Sequence, residues 1–275
     1  MLIESTAHLP VGLAMLQDGL FHAPGGDQLP RVLLRWSHFV FGIAWIGLLY
    51  FFNLVNVPLQ KELDAPTKKA VNPGLLSRAL WYFRWGAVGT VFVGLMYYAM
   101  YILPTDVQNT RNLGEGSANT WLILGVWLLF PVIAFFIEYL IIMRVPALTK
   151  DGRLLAVVVA VLVVLMSIGI IYWLSSQLVG RPMGGRPADS YASNKTYSIG
   201  VGGALGVIML LNVWGIIWPA QKRIIAGITS GNAAPPELAR RAFLASRANA
   251  WLSLPMLFFM ATSHGDWVIF GKNTA

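Results

Sequence analysis

The sequence contains no cysteine and few charged residues. The lack of cysteine excludes disulfides, thiolate metal sites, a cysteine nucleophile and covalent attachment of haem through a C-x-x-C-H motif in this chain. Charged residues make up 12% of the composition and hydrophobic residues 56%. Because a water-soluble surface needs more charge than this, the composition predicts an all-α integral membrane protein.

Other missing features exclude further classes of protein. The sequence has no Walker loop, no His-Glu-x-x-His motif, no nucleophile elbow and no Rossmann glycine signature. Residues 1–30 lack the basic start and clean apolar core of a cleaved signal peptide. The net charge is +8, but the basic residues occur in short clusters between apolar blocks. Such clusters set orientation in a membrane, so nucleic acid is not an expected partner.

Six apolar stretches are each long enough to cross a bilayer, which takes about 20 helical residues. They predict a bundle of about six transmembrane helices in a multi-pass protein of the bacterial inner (plasma) membrane. The domain division is an outer-face N-terminal segment, 1–30, followed by a six-helix membrane domain, 31–275. The stretch 10–23 is apolar but short and carries Asp18, which favours an interfacial helix over a seventh span. The predicted spans are 32–57, 79–103, 119–143, 154–179, 197–219 and 248–268.

Prolines near the span boundaries are expected to end helices, because proline lacks the N–H that a continuing helix uses. Pro58, Pro104, Pro146 and Pro219 follow the first, second, third and fifth stretches. Two further prolines, Pro131 and Pro255, lie inside spans and are expected to kink them.

The distribution of Lys and Arg between the loops predicts the orientation of the bundle. One side carries twelve basic residues and the other side seven, so the first side is expected to face the cytoplasm and both termini to face outward. The twelve are Lys61, Lys68, Lys69, Arg78, Arg144, Lys150, Arg153, Lys222, Arg223, Arg240, Arg241 and Arg247. The seven are Arg31, Arg35, Arg111, Arg181, Arg186, Lys195 and Lys272.

Ionisable residues inside predicted spans are candidates for pairing or function, because charge is costly in lipid. Arg84 and Glu138 lie at similar depths from the cytoplasmic ends of the second and third spans. Their positions predict an ion pair. Such a pair is either a structural clamp between two helices or part of a proton relay or quinone site.

Two histidines are predicted to reach the outer half of the membrane. His38 lies about 10 Å along the first span from Arg31, and His264 lies about 24 Å along the last span, which runs the other way. Helical bundles can hold haem b between histidines on two facing helices, and Trp45 lies on the same helix face as His38, two turns away. The alternative is that the histidines form hydrogen bonds across the bundle and the nearby glycines serve packing.

Three motifs in the sequence form a recognisable pattern. They are His38-x6-Trp45-Ile46-Gly47 with Tyr50 and Phe51, Asn212-Val213 followed by Pro219-x-Gln221, and the run Ser246-x-x-Asn249-x-x-Leu252-Ser253-Leu254-Pro255-x-Leu257-Phe258-x-Met260-x-x-Ser263-His264. Together they resemble the membrane portion of the bacterial membrane-bound urate hydroxylases, the urate oxidase N-terminal family. The first motif is also similar to the membrane haem proteins of the HemJ-type protoporphyrinogen oxidases.

The resemblance implies a redox function, but this sequence departs from the family pattern in two places. Family members typically carry a C-terminal cytochrome c domain that takes electrons as urate is oxidised, and this sequence ends at Ala275 without the cysteines of such a domain. The resemblance also implies a histidine where Ala248 stands, beside a substrate-binding residue at Asn249.

Two functions of different class therefore remain open. In the first, the chain is a redox module that binds haem b near His38 and His264, with the histidines as iron ligands and Trp45 beside them, and passes electrons to a separate cytochrome c. In the second, it is a non-catalytic structural or accessory subunit of a larger respiratory or photosynthetic membrane complex.

Overall fold

The structure is a computed structural model that describes residues 25–113, 118–180, 190–232, 234–264 and 267–271. The chain divides into two compact units, Met1–Leu33 and Leu34–Ala275. The interfacial helix predicted near 10–23 lies outside the described residues. The prediction of two domains, 1–30 and 31–275, stays a prediction.

Six long helices make up most of the described chain. Five of them are long and apolar enough to cross a membrane, as expected of a multi-pass membrane protein. The sixth, α6, is also long, but its first half carries Glu237, Arg240, Arg241 and Arg247, and it ends before the predicted limit of the last span. The helices are α1 (Gln28–Glu62), α2 (Ala65–Asn112), α3 (Thr120–Arg144), α4 (Gly152–Gln177), α5 (Asn194–Ser230) and α6 (Pro236–Thr262), with a short helix Pro146–Lys150 between α3 and α4.

Three of the four prolines predicted to end helices lie inside continuous ones, so that prediction was wrong for Pro58, Pro104 and Pro219. Each follows a π-helical turn, Phe51–Asn56, Tyr98–Ile102 or Val213–Ile217. Proline clashes with the carbonyl four residues before it, and in all three cases that carbonyl belongs to the wider π turn. The helix therefore absorbs the proline instead of ending.

The prediction was correct for Pro146, because α3 ends two residues earlier, at Arg144. Pro131 and Pro255 lie inside α3 and α6, as predicted. Pro73 also lies inside a helix, near the start of α2.

The Asp64 side chain caps the start of α2 by accepting from the Thr67 backbone N–H. Hydrogen bonds from the side chain and backbone of Thr67 hold the pKa of the Asp64 carboxyl below its usual value.

Helix α5 is the centre of the bundle. Its apolar segment is 67% buried, whereas the apolar segments of the other four candidate spans are at most 33% buried. Its glycines allow this close packing: a methyl group at Gly202 would lie 3.1 Å from side-chain atoms of Met260 and Phe259 on α6. On the opposite side, the Trp127 indole of α3 donates to the Gly200 carbonyl over 2.9 Å. Small residues at helix contacts are the usual way in which apolar helices approach closely.

Hydrogen bonds define the two ends of the bundle. At one end, the Arg240 guanidinium of α6 donates to the carbonyls of Thr149 and Lys150, between α3 and α4. At the other end, the Asp106 carboxylate of α2 accepts from the Ser193 backbone N–H, and the Asn194 amide donates to the Thr262 carbonyl at the end of α6. The connection between α3 and α4 and the first half of α6, both predicted to be cytoplasmic, therefore meet at one end.

Helices α1 and α2 approach each other closely along a line of α2 glycines. A methyl group at Gly86 would lie 3.3 Å from the backbone nitrogen of Trp45, and one at Gly94 would lie 2.7 Å from Cε1 of His38. The contact at Gly86 is with backbone, which cannot rotate away. This approach determines where α1 presents its side chains.

We expect Gly86→Val to destabilise the protein by about 1–3 kcal/mol, because the larger side chain must push α1 away from α2. Thermal or denaturant unfolding of the purified protein in detergent measures the change. Gly125→Val is the matched control, since a methyl group there meets nothing within 4 Å. An equal loss in the two variants would contradict the close approach of α1 to α2.

Candidate functional site

A cavity of about 460 Å³ lies between α1, α2, α5 and α6, a size typical of small-molecule and cofactor sites. The walls are almost entirely apolar, and glycines from α1, α2 and α5 leave the space open. Both histidines predicted from the sequence line it, together with Trp45. The lining residues are Arg35, His38, Phe39, Gly42, Ile43, Trp45, Ile46, Gly47, Thr90, Val91, Gly94, Leu95, Tyr97, Tyr98, Trp127, Ile199, Gly202, Gly203, Gly206, Val207, Met256, Leu257, Met260 and His264.

The His38 ring is half-buried and held in place by α2. Its Nδ1 lies 2.9 Å from the Thr90 carbonyl oxygen. Because a carbonyl oxygen can only accept, Nδ1 donates this hydrogen bond, and a neutral ring then keeps an unprotonated Nε2. A backbone carbonyl on one ring nitrogen is the arrangement that orients metal-binding histidines and leaves the other nitrogen free to bind. Gly94 makes room for the ring.

His264 follows the end of α6 and is exposed. Its Nδ1 lies 2.7 Å from the Ser263 hydroxyl and 3.1 Å from the Met260 carbonyl oxygen. The Ser263 hydroxyl itself donates to the same carbonyl over 2.7 Å, so Nδ1 of His264 is the donor that completes this set. Its Nε2 is also left as an acceptor. In the described ranges no group of three or more His, Cys, Asp or Glu side chains could hold a metal ion.

Trp45 forms part of the inner wall of the cavity. Its side chain is fully buried, and its indole Nε1–H has no hydrogen-bond partner among the described residues. Buried donors are usually paired, so an unpaired indole beside a cavity is a feature that a bound molecule could satisfy. Tyr98 and Trp127 pack together in the same wall, with ring centroids 5.8 Å apart.

The ion pair predicted between Arg84 and Glu138 is not formed. The Arg84 guanidinium lies over the Trp218 ring, 3.8 Å from its centroid, and its Nε and Nη1 have no hydrogen-bond partner among the described residues. The buried Glu138 carboxylate instead accepts from the Asn212 side chain, over 3.1 and 3.2 Å. The two residues have similar depths, but their helices turn them toward different neighbours.

Asn249 belongs to the same buried polar network and does not line the cavity. Its side-chain oxygen accepts from Asn212 over 3.0 Å, and its nitrogen donates to the Met209 carbonyl over 2.9 Å. All three asparagine and glutamate side chains of this network are at most 1% exposed. The network joins α3, α5 and α6, so the geometry indicates a structural role, whereas the resemblance implied substrate binding.

Sequence reasoning missed three features of the site. Arg35 was counted only for orientation, although it lies one helical turn before His38 and lines the cavity. The Thr90 carbonyl and the space at Gly94 were missed because backbone groups carry no residue signal. The spacing of Gly86, Gly89 and Gly94 on α2 was the one available indication of a close helix contact there.

A family model described as urate oxidase N-terminal matches residues 63–274. The match includes His264, Asn249 and the α2, α5 and α6 walls of the cavity, and it begins after α1, which carries His38 and Trp45. No curated protein and no solved structure matches the chain significantly.

Double-mutant cycles should separate the two partners considered for Glu138. We expect Glu138→Ala and Asn212→Ala to show a coupling energy of about 1–3 kcal/mol, because each removes the other's buried hydrogen-bond partner. Glu138→Ala and Arg84→Ala should be additive within about 0.5 kcal/mol, as expected for residues without contact. Free energies of unfolding in detergent provide the measurement. A larger coupling energy between Glu138 and Arg84 than between Glu138 and Asn212 would support the ion pair instead.

Proposed function

Because the chain belongs to the urate oxidase N-terminal family, we propose that it is a membrane-embedded redox module of the urate-oxidase type. In this proposal it passes electrons to a separate cytochrome c. The observation that carries the proposal is the shared cavity: two histidines, distant in sequence, line one apolar space, and the Nδ1 of each is held by a carbonyl of its surroundings.

The residues present fit haem b. The cavity is almost entirely apolar, which suits a porphyrin ring, and six of its lining residues are glycines that leave room for a flat molecule. His38 and His264 would hold the iron through Nε2, and Trp45 forms part of the wall of the same cavity. Bound there, haem b would supply a one-electron carrier between a substrate and an electron acceptor.

The chain's own residues would orient and shield such a group. The Thr90 carbonyl orients the His38 ring through the Nδ1 hydrogen bond and leaves its Nε2 free to bind. Apolar side chains from five helices line the cavity and exclude water, which protects a redox centre from unwanted proton transfer. The exposed position of His264 leaves the outer end of the site accessible to a partner protein.

We further propose that α6 is the sixth crossing, that both termini face outward, and that the membrane is the bacterial inner membrane. The apolar second half of α6 packs along α5, which supports a crossing. Arg240 joins the loop between α3 and α4, so two basic clusters lie at the same end. An excess of Lys and Arg at one end is typical of the cytoplasmic side.

A reduced-minus-oxidised spectrum of the purified protein tests the redox proposal. We expect a b-type band that is lost in His38→Ala and in His264→Ala, because each substitution removes an iron ligand. A colourless wild-type protein that copurifies stoichiometrically with a larger membrane complex would instead support an accessory subunit.

A cavity-filling pair of variants tests whether the band comes from this cavity. A side chain at Gly206 has room to extend, since a methyl group there stays 3.7 Å from its nearest neighbour, the Met256 sulfur. We expect Gly206→Leu to lower the haem content at least several-fold by occupying the space, and Gly125→Leu, outside the cavity, to leave it unchanged. Haem content per protein is measured by pyridine haemochrome absorbance. Equal haem content in the two variants would show that the haem is not bound in this cavity.

The lack of cysteine makes the orientation directly measurable. We expect a membrane-impermeant maleimide applied to intact spheroplasts to label Lys195→Cys, at the start of α5, and not Lys150→Cys. After the membrane is opened, both should react. Labelling of Lys150→Cys alone in intact spheroplasts would reverse the orientation, and labelling of both would contradict a bundle with opposite ends on opposite sides.

A further inference from the structure

The charge of the cavity lining is concentrated in one residue. Among the described residues that line the cavity, Arg35 alone carries a permanent charge. It is exposed, no carboxylate of the described residues pairs with it, and it lies one turn before His38 on α1, about 4.5 Å nearer the start of the helix. An arginine at the rim of an apolar cavity is a ready partner for a carboxylate, because its fork of N–H donors matches two carboxylate oxygens.

The rest of the lining sets the chemistry of the occupant. Below Arg35 the walls are mostly glycine, aliphatic, methionine and aromatic side chains. The Trp127 indole is paired with the Gly200 carbonyl, whereas the Nε2 atoms of His38 and His264 and the Trp45 indole N–H are free among the described residues. A molecule with polar atoms around its whole edge would leave several of them unpaired against such walls. An apolar ring with an acidic group at one end would place its ring against the apolar walls and its acidic group beside Arg35.

We infer that Arg35 binds the anionic end of the cavity's ligand, and that this ligand is an apolar planar acid and not urate. The inference rests on the proposed function, in which the ligand is haem b. The two propionates of haem b leave one edge of the ring, so Arg35 at the rim would meet them while the apolar part of the ring lies against the apolar walls. Urate carries nitrogen or oxygen around its entire edge, so it would have to react without entering the cavity.

Haem b and its dimethyl ester test the role of Arg35, because the ester keeps the ring and iron but lacks both charges. The full chain is loaded with each form, and transfer to an excess of an apo-haem protein gives the rate of loss. We expect the wild type to release the ester about tenfold or more faster than the free acid, the factor given by losing a charge-assisted hydrogen bond. In Arg35→Gln the two rates should become equal.

Two variants control for charge and folding. Arg35→Lys should keep part of the discrimination, since it keeps the charge and loses the fork. Lys195→Gln removes a charge at the same end of the bundle without touching the cavity, and should behave as the wild type. Circular dichroism shows whether Arg35→Gln folds. If it does not, Arg35→Lys decides the question. A ratio of ester to free-acid release rates in Arg35→Lys equal to that of the wild type would overturn the role of the guanidinium.

The outcomes separate this inference from the proposed function. If haem b and its dimethyl ester both bind, and Arg35→Gln still releases the ester faster than the free acid, the proposed haem site is supported and the proposed role of Arg35 is wrong. If neither form binds the wild type, the haem module itself fails and the inference falls with it. A second measurement tests the exclusion of urate: urate should not slow haem uptake by the wild type, and competition by urate there would show that urate does enter the cavity.

Discussion

The close approach of α1 to α2 determines the geometry of the candidate site. Because Gly86 and Gly94 have no side chains, α1 lies against α2 closely enough for the His38 ring to reach the Thr90 carbonyl. That hydrogen bond orients the ring, and the rest of the α1 face, from Arg35 to Trp45, follows along the cavity wall. A larger residue at either glycine would separate the histidine from its carbonyl and change the shape of the cavity.

The buried polar network contributes the second constraint, on the other side of α5. Glu138, Asn212 and Asn249 join three helices through side chains that have almost no exposure. Directional hydrogen bonds between apolar helices select one rotation of each helix about its axis, which packing of similar aliphatic side chains does not. With α5 held in this way, its glycines face both the cavity and α6.

The sequence allowed the apolar helices, their order and the matched depth of His38 and His264 to be predicted, because depth follows from counting residues along a helix. Rotation about the helix axis does not follow from counting. Arg84 and Glu138 were predicted to pair because their depths agree, yet Arg84 lies on Trp218 and Glu138 meets Asn212. The family resemblance implied that Asn249 binds substrate, and a sequence motif likewise does not give the direction in which a side chain points.

The three π-helical turns affect how this chain can be compared with its relatives. A π turn accommodates one more residue than an α turn, so the residues after it are rotated by about 100° relative to an uninterrupted α-helix. A helical wheel drawn through Phe51–Asn56 or Val213–Ile217 would therefore assign the wrong face to everything beyond the turn. In an alignment, a relative without the proline and its π turn would need a single-residue gap at that point, in the middle of a long apolar helix, where gaps are ordinarily penalised most.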